Sequence, residues 1–164
     1  MRCGRDIQVL AACLCITSSP ARACDVGSTT TAINGIAQQL LARQAQRIDL
    51  LKISDRLLAS IPVSPEHFAT YPLERSTLLL TERDAAELAA AIKKLEPSQL
   101  AYQPDLRWQL VFLDGAGTKL HAIFLSKRYV QGRGRSGYVD ADACGFSTSA
   151  IGSPALVKWL QKRL

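Results

Sequence analysis

The sequence predicts an α+β domain: an antiparallel sheet (a C-terminal three-strand meander plus one further strand) packed by an N-terminal helical segment, a middle helix and a C-terminal helix. Three observations carry this. Apolar residues recur at three- and four-residue spacing in the first half of the chain. Over 106–127 they alternate or run unbroken, as in strands. Proline- and glycine-bearing breaks separate the segments, and the strands follow one another instead of alternating with helices.

Residues 1–23 stand apart from that domain. Arg2 and Arg5 make the start positive, Ile7–Ile16 is apolar except for Gln8, and a polar stretch ending in Pro20 leads to Ala21-Arg22-Ala23. This is the charged, apolar, small-x-small order of a cleaved secretory signal, which leaves 24–164 as a single domain. The apolar run is about half of the ~20 residues needed to span a bilayer, so no transmembrane segment is expected. A lipid anchor is the second choice: Leu10-Ala11-Ala12-Cys13 has the form of a lipobox, with Cys13 the lipidated residue, but only Ile7, Gln8 and Val9 precede it. The expected location is the periplasm or the exterior.

Export gives the cysteines a meaning. Cys3, Cys13 and Cys15 leave with the signal, and Cys24 and Cys144 remain as an even pair in an oxidising compartment. They are expected to form one disulfide, worth roughly 4–5 kcal/mol in the chain-entropy description of so long a loop. Two separated cysteines and two isolated histidines lack metal-ligand spacing, so neither metal nor cofactor is expected. The net charge of +6 includes +2 from Arg2, Arg5 and Arg22 against Asp6, which leaves about +4 on the exported domain. That favours acidic partners and is too weak for nucleic acid.

In chain order, Asp25–Thr31 reads as a polar lead-in and 33–60 as helical, with Ala37, Leu40, Leu41, Ile48, Leu51 and Leu58 as its apolar stripe and a break at Ser54-Asp55. Pro62 and Pro65 end it. Glu66–Arg75 reads as loop and Ser76–Leu80 as a short strand. Thr81 is an N-cap with Asp84 three residues on, opening a helix over Glu82–Glu96 that Pro97 stops. Leu106–Leu113 is a strand with Leu106, Trp108, Leu110 and Phe112 on one face, opposite Arg107 and Gln109. Asp114–Gly117 is a hairpin turn and Lys119–Lys127 the return strand, with Leu120, Ala122 and Phe124 on one face and Ile123 and Leu125 on the other. Tyr138–Phe146 is the third strand, and Ser153-Pro154 opens the last helix, docked by Ala155, Leu156, Trp159 and Leu160.

The most distinctive segment is K-R-Y-V-Q-G-R-G-R-S-G at 127–137. Lys127, Arg128, Arg133 and Arg135, with Tyr129 beside them, are the expected partner-binding residues. Guanidinium groups on a glycine-rich backbone can fork onto carboxylates. The bland alternative is a solvated loop whose charges serve solubility. Gly132, Gly134 and Gly137 have dinucleotide-fingerprint spacing, but a strand and not a helix follows them. Asp140 and Asp142 share a strand face, most simply as a solvated one. His121 lies mid-strand and His67 in a proline-flanked loop, and no G-x-S-x-G elbow is present.

No catalytic set is expected. The first reading is therefore an exported binding protein that inhibits or neutralises another protein, such as an immunity or inhibitor protein against a cell-wall hydrolase. Its partner would present an acidic cleft, as in a peptidoglycan hydrolase or toxin. The alternative is an envelope structural or small-ligand-binding module. Third comes a small exported hydrolase using His121 with Asp140 or Asp142.

Overall fold

A computed structural model describes residues 26–54, 56–57, 61–100, 103–126, 136–140, 145–147 and 155–163. In chain order the elements are α1 (Val26–Leu41), β1 (Arg47–Ile53), a 3-10 turn (Phe68–Thr70), β2 (Leu73–Leu79), α2 (Glu82–Ile92), β3 (Glu96–Ser98), β4 (Leu106–Leu113), β5 (Lys119–Ser126), β6 (Ser136–Val139), β7 (Gly145–Ser147) and α3 (Ala155–Gln161). The strands form one sheet in the order β2-β1-β4-β5-β6-β7-β3, every neighbouring pair antiparallel. The predicted class holds: three helices pack on an antiparallel sheet. The sheet is wider than four strands because segments read as helix or loop are strands.

The largest revision is at 42–60. The sequence contains no breaker between Leu41 and Arg47, yet α1 ends at Leu41. Arg43 takes a left-handed conformation (φ 59°), its N–H bonds to Leu40 O at 3.2 Å, and the Gln44 N–H bonds to Gln39 O at 2.9 Å. This is the two-bond helix terminator that glycine normally supplies. The Arg43 guanidinium also donates to Leu80 O at 2.9 Å, tying the cap to the strand end beside it. Residues 47–53 then run as β1 between β2 and β4. Ile48 and Leu50 face the helices and Leu51 and Ile53 the opposite side, so the strand is apolar on both faces and mimics a helical stripe. At the other end, α1 begins at Val26, inside the expected lead-in.

The core has two parts. On one face α1, α2 and α3 cover Ile48, Leu50, Leu110, Phe112, Ile123, Leu125 and Val139. On the other, Val63 and Phe68 close over Ile53, Leu106, Ala122 and Phe124, with Phe68 and Phe124 packed edge to face at 5.6 Å. Two bulges correct the predicted faces. A register shift between Leu106 and Trp108 moves Leu106 to the second face and buries Arg107, 4% exposed. There the guanidinium bonds Asp105 at 3.0 Å and Leu57 O at 2.9 Å, tying Leu57 to the sheet. A second shift, between Phe112 and Leu113, lets Leu120 pack with Ile123 and Leu125 on the helix side.

Thr81 caps α2 as expected, and Asp84 completes the reciprocal box with its own carboxylate. The helix stops at Ile92, short of Glu96. Glu96–Ser98 pairs instead with β7 at the sheet edge, where Pro97 is tolerated because one side of an edge strand needs no N–H donor. The predicted strand 138–146 is two strands. Asp140 turns the chain in a left-handed conformation (φ 52°), and Tyr138 lies opposite Gly145.

Candidate functional site

The basic segment lies outside the described residues from Lys127 to Arg135, and with it Lys127, Arg128, Tyr129, Arg133 and Arg135. Its two roots are described. Leu125 lies opposite Gly137, so β5 and β6 deliver and take back the segment at one end of the sheet. Leu125 is fully buried and Phe124 nearly so, which makes the base rigid. Cys24, Cys144 and Asp142 also lie outside the described residues.

The other end of the same strand pair carries a second polar arrangement. Asp140 follows β6 directly. Its N–H bonds to Ala122 O at 2.9 Å, and its Oδ1 accepts the Ala122 N–H at 2.7 Å. A side-chain oxygen thus does the work of the next backbone carbonyl in the ladder, while the chain turns away. The remaining oxygen, Oδ2, meets His121 Nδ1 at 2.5 Å. His121 therefore has one nitrogen held by a carboxylate whose other oxygen is bonded to the β5 backbone. The sequence placed Asp140 on a strand face with Asp142. It also offered either aspartate as a partner for His121; the turn at Asp140, not strand alternation, aims that carboxylate at the ring.

His67 belongs to a different cluster. Its Nδ1 lies 2.9 Å from Ser64 Oγ, and its N–H bonds to Ser64 O at 3.2 Å. The Ser64 hydroxyl holds the Glu66 carboxyl below the usual glutamate range. The Ser64 hydroxyl thus stands between the imidazole and the Glu66 carboxyl. Tyr138, beneath this turn, has its hydroxyl pKa raised by burial and then by the Glu66 charge.

A shallow apolar recess of about 70 Å³ lies between β1, β2 and α3, lined by Ile48, Leu50, Leu78, Trp159 and Leu160 among others. That is well below the ~300 Å³ at which small-molecule pockets begin. No group of three metal-ligating side chains occurs among the described residues, and none of their helices is long and apolar enough to cross a membrane. Compared with known protein families, with curated proteins and with solved structures, the chain matches none.

Proposed function

We propose that the chain is an exported binding protein that neutralises another protein, in its concrete form a periplasmic immunity or inhibitor protein against a cell-wall hydrolase. The observation that supports this most is the rooting of the basic segment. Nine residues carrying Lys127, Arg128, Arg133 and Arg135 join two strands paired at Leu125 and Gly137 over a buried base. Binding loops are commonly carried this way, on a rigid sheet end. Glycan hydrolases work with paired carboxylates in a cleft, and an arginine fork is complementary to such a pair.

Export and the Cys24–Cys144 disulfide are part of the same proposal. α1 begins two residues after Cys24, β7 begins one residue after Cys144, and these two elements are in contact. The test is the clearing of a peptidoglycan suspension by glycan-cleaving and amide-cleaving hydrolases, with and without the protein. Inhibition of at least one hydrolase is expected, and it should be lost by roughly tenfold or more when Arg133 and Arg135 are both replaced by alanine. No inhibition by the wild-type protein of either class would sink the proposal.

A further inference from the structure

We propose that His121 is the proton acceptor of a second site, at the opposite end of the β5–β6 pair from the basic segment, where it hydrolyses an uncharged acyl ester by activating water. The arrangement rests on geometry. Asp140 Oδ2 lies 2.5 Å from His121 Nδ1, which fixes the tautomer with hydrogen on Nδ1 and leaves a lone pair on Nε2. Asp140 is itself immobilised, through Ala122 N–H on Oδ1 and Ala122 O on its own N–H. The aspartate takes a left-handed backbone (φ 52°), a strained conformation for a residue with a side chain. Next to His121 the β4–β5 register shifts, and such bulges serve to re-aim a side chain.

Nε2 points to the flank of α1 at Gly35. A Cβ on Gly35 would stand 3.9 Å from Nε2, in ordinary van der Waals contact. Among the described residues no group bonds to Nε2. The His121 side chain is 21% exposed, so the ring is reached from solvent while mostly shielded from it. A simple latch closing the β5–β6 ladder needs only the Ala122 bonds. It has no use for a carboxylate-oriented imidazole with its second nitrogen open.

This combination suits a general base. Water gives one proton to Nε2 as its oxygen bonds the acyl carbon. The carbonyl electrons move to oxygen and return as the ester C–O bond breaks. The leaving alkoxide takes the proton from Nε2, and one ester and one water become one acid and one alcohol. Asp140 positions the ring and stabilises the imidazolium that forms. Its negative charge, with no cation bonded to it among the described residues, disfavours an anionic phosphate ester and favours a neutral acyl group.

The probe is p-nitrophenyl acetate, with phenolate release followed between pH 5 and 9. The wild-type rate is expected to rise with pH, as hydrolysis by a general base does. It should exceed that of His121→Gln by about tenfold or more. Asp140→Asn should lower the rate, and His67→Gln should leave it unchanged. Nitrogen-15 spectra of the wild-type imidazole add a readout that needs no variant: Nε2 unprotonated and Nδ1 protonated at pH 8. A His121→Gln rate equal to wild type, or the reverse tautomer, overturns the proposal.

Discussion

Gly145 is where a single added carbon does most harm. A Cβ there would stand 2.4 Å from Gly137 O and 2.5 Å from Leu100 Cδ1. The oxygen is backbone, so it cannot rotate away, and the two strands would have to part. We expect Gly145→Ala to lose about 2–3 kcal/mol in urea denaturation, at the upper end of overpacking costs. An unchanged midpoint would show that β6 and β7 are not held at this spacing. Asp114 makes the opposite use of a side chain. Its Oδ1 accepts N–H bonds from Ala116 at 2.9 Å and Thr118 at 2.7 Å, closing the β4–β5 turn with Gly117 at φ 88°. That turn was legible from Asp114-Gly115-Ala116-Gly117 because its chemistry is local. His121 could be set beside Asp140 or Asp142 from the sequence, but the contact with Asp140 depends on where the chain leaves β6.

At the scale of elements, α2 and α3 are clasped by one arginine. Arg163 Nε donates to Asp84 Oδ1 at 2.8 Å, its Nη2 bonds the same oxygen and reaches Glu87 at 3.0 Å, and the guanidinium lies 4.6 Å over the Trp159 ring. The carboxyl of Asp84 is held below its ordinary value first by the Thr81 hydroxyl and then by Arg163. A carboxyl lowered in the folded state contributes stability above its unfolded value and loses it as pH falls through the folded one. Glu66 and Asp114 are lowered too and act in the same direction. The urea midpoint should therefore be flat from pH 7 to about 5 and fall below about pH 4. Arg163→Ala should cost about 1–2 kcal/mol at pH 7 and flatten that acid limb. An equally steep limb would mean that Asp84 is set by its cap alone.

The same scale shows why some elements were legible and others were not. Thr81 with Asp84, the alternation from Trp108 to Phe112, and Leu156 with Trp159 and Leu160 each carry their own signal within a few residues. β1 carries none, since strand burial on both faces and a helical stripe produce the same apolar run over Ile48, Leu50, Leu51 and Ile53. The terminator that separates it from α1 is an arginine in a glycine's conformation, a choice made by packing against Leu80 O and invisible to propensity. β3 and β7 are three residues each and exist because they pair, Pro97 opposite Phe146. Of the candidate sites, the cations of the basic segment could be read from composition. The pairing of His121 with Asp140 was one of two the sequence offered, and its geometry needed the register shift and the turn.

At the scale of the whole molecule the two proposed sites share one strand pair: the basic segment follows Ser126 at one end, and the oriented imidazole stands at the other. Export is proposed for the chain that carries both. Intact mass of the purified exported protein should match a chain beginning at Cys24 and lighter by two hydrogens than its reduced form. A mass retaining residues 1–23, or showing two free thiols, would contradict export with a Cys24–Cys144 bridge. The central claim is recognition by the basic segment, and its most direct measurement is affinity for an inhibited hydrolase at two salt concentrations, for wild type and for the Arg133→Ala, Arg135→Ala double variant. The account predicts weaker binding and a shallower salt dependence in the variant, because two charge-assisted contacts are gone. Wild-type affinity with an unchanged salt dependence would contradict it.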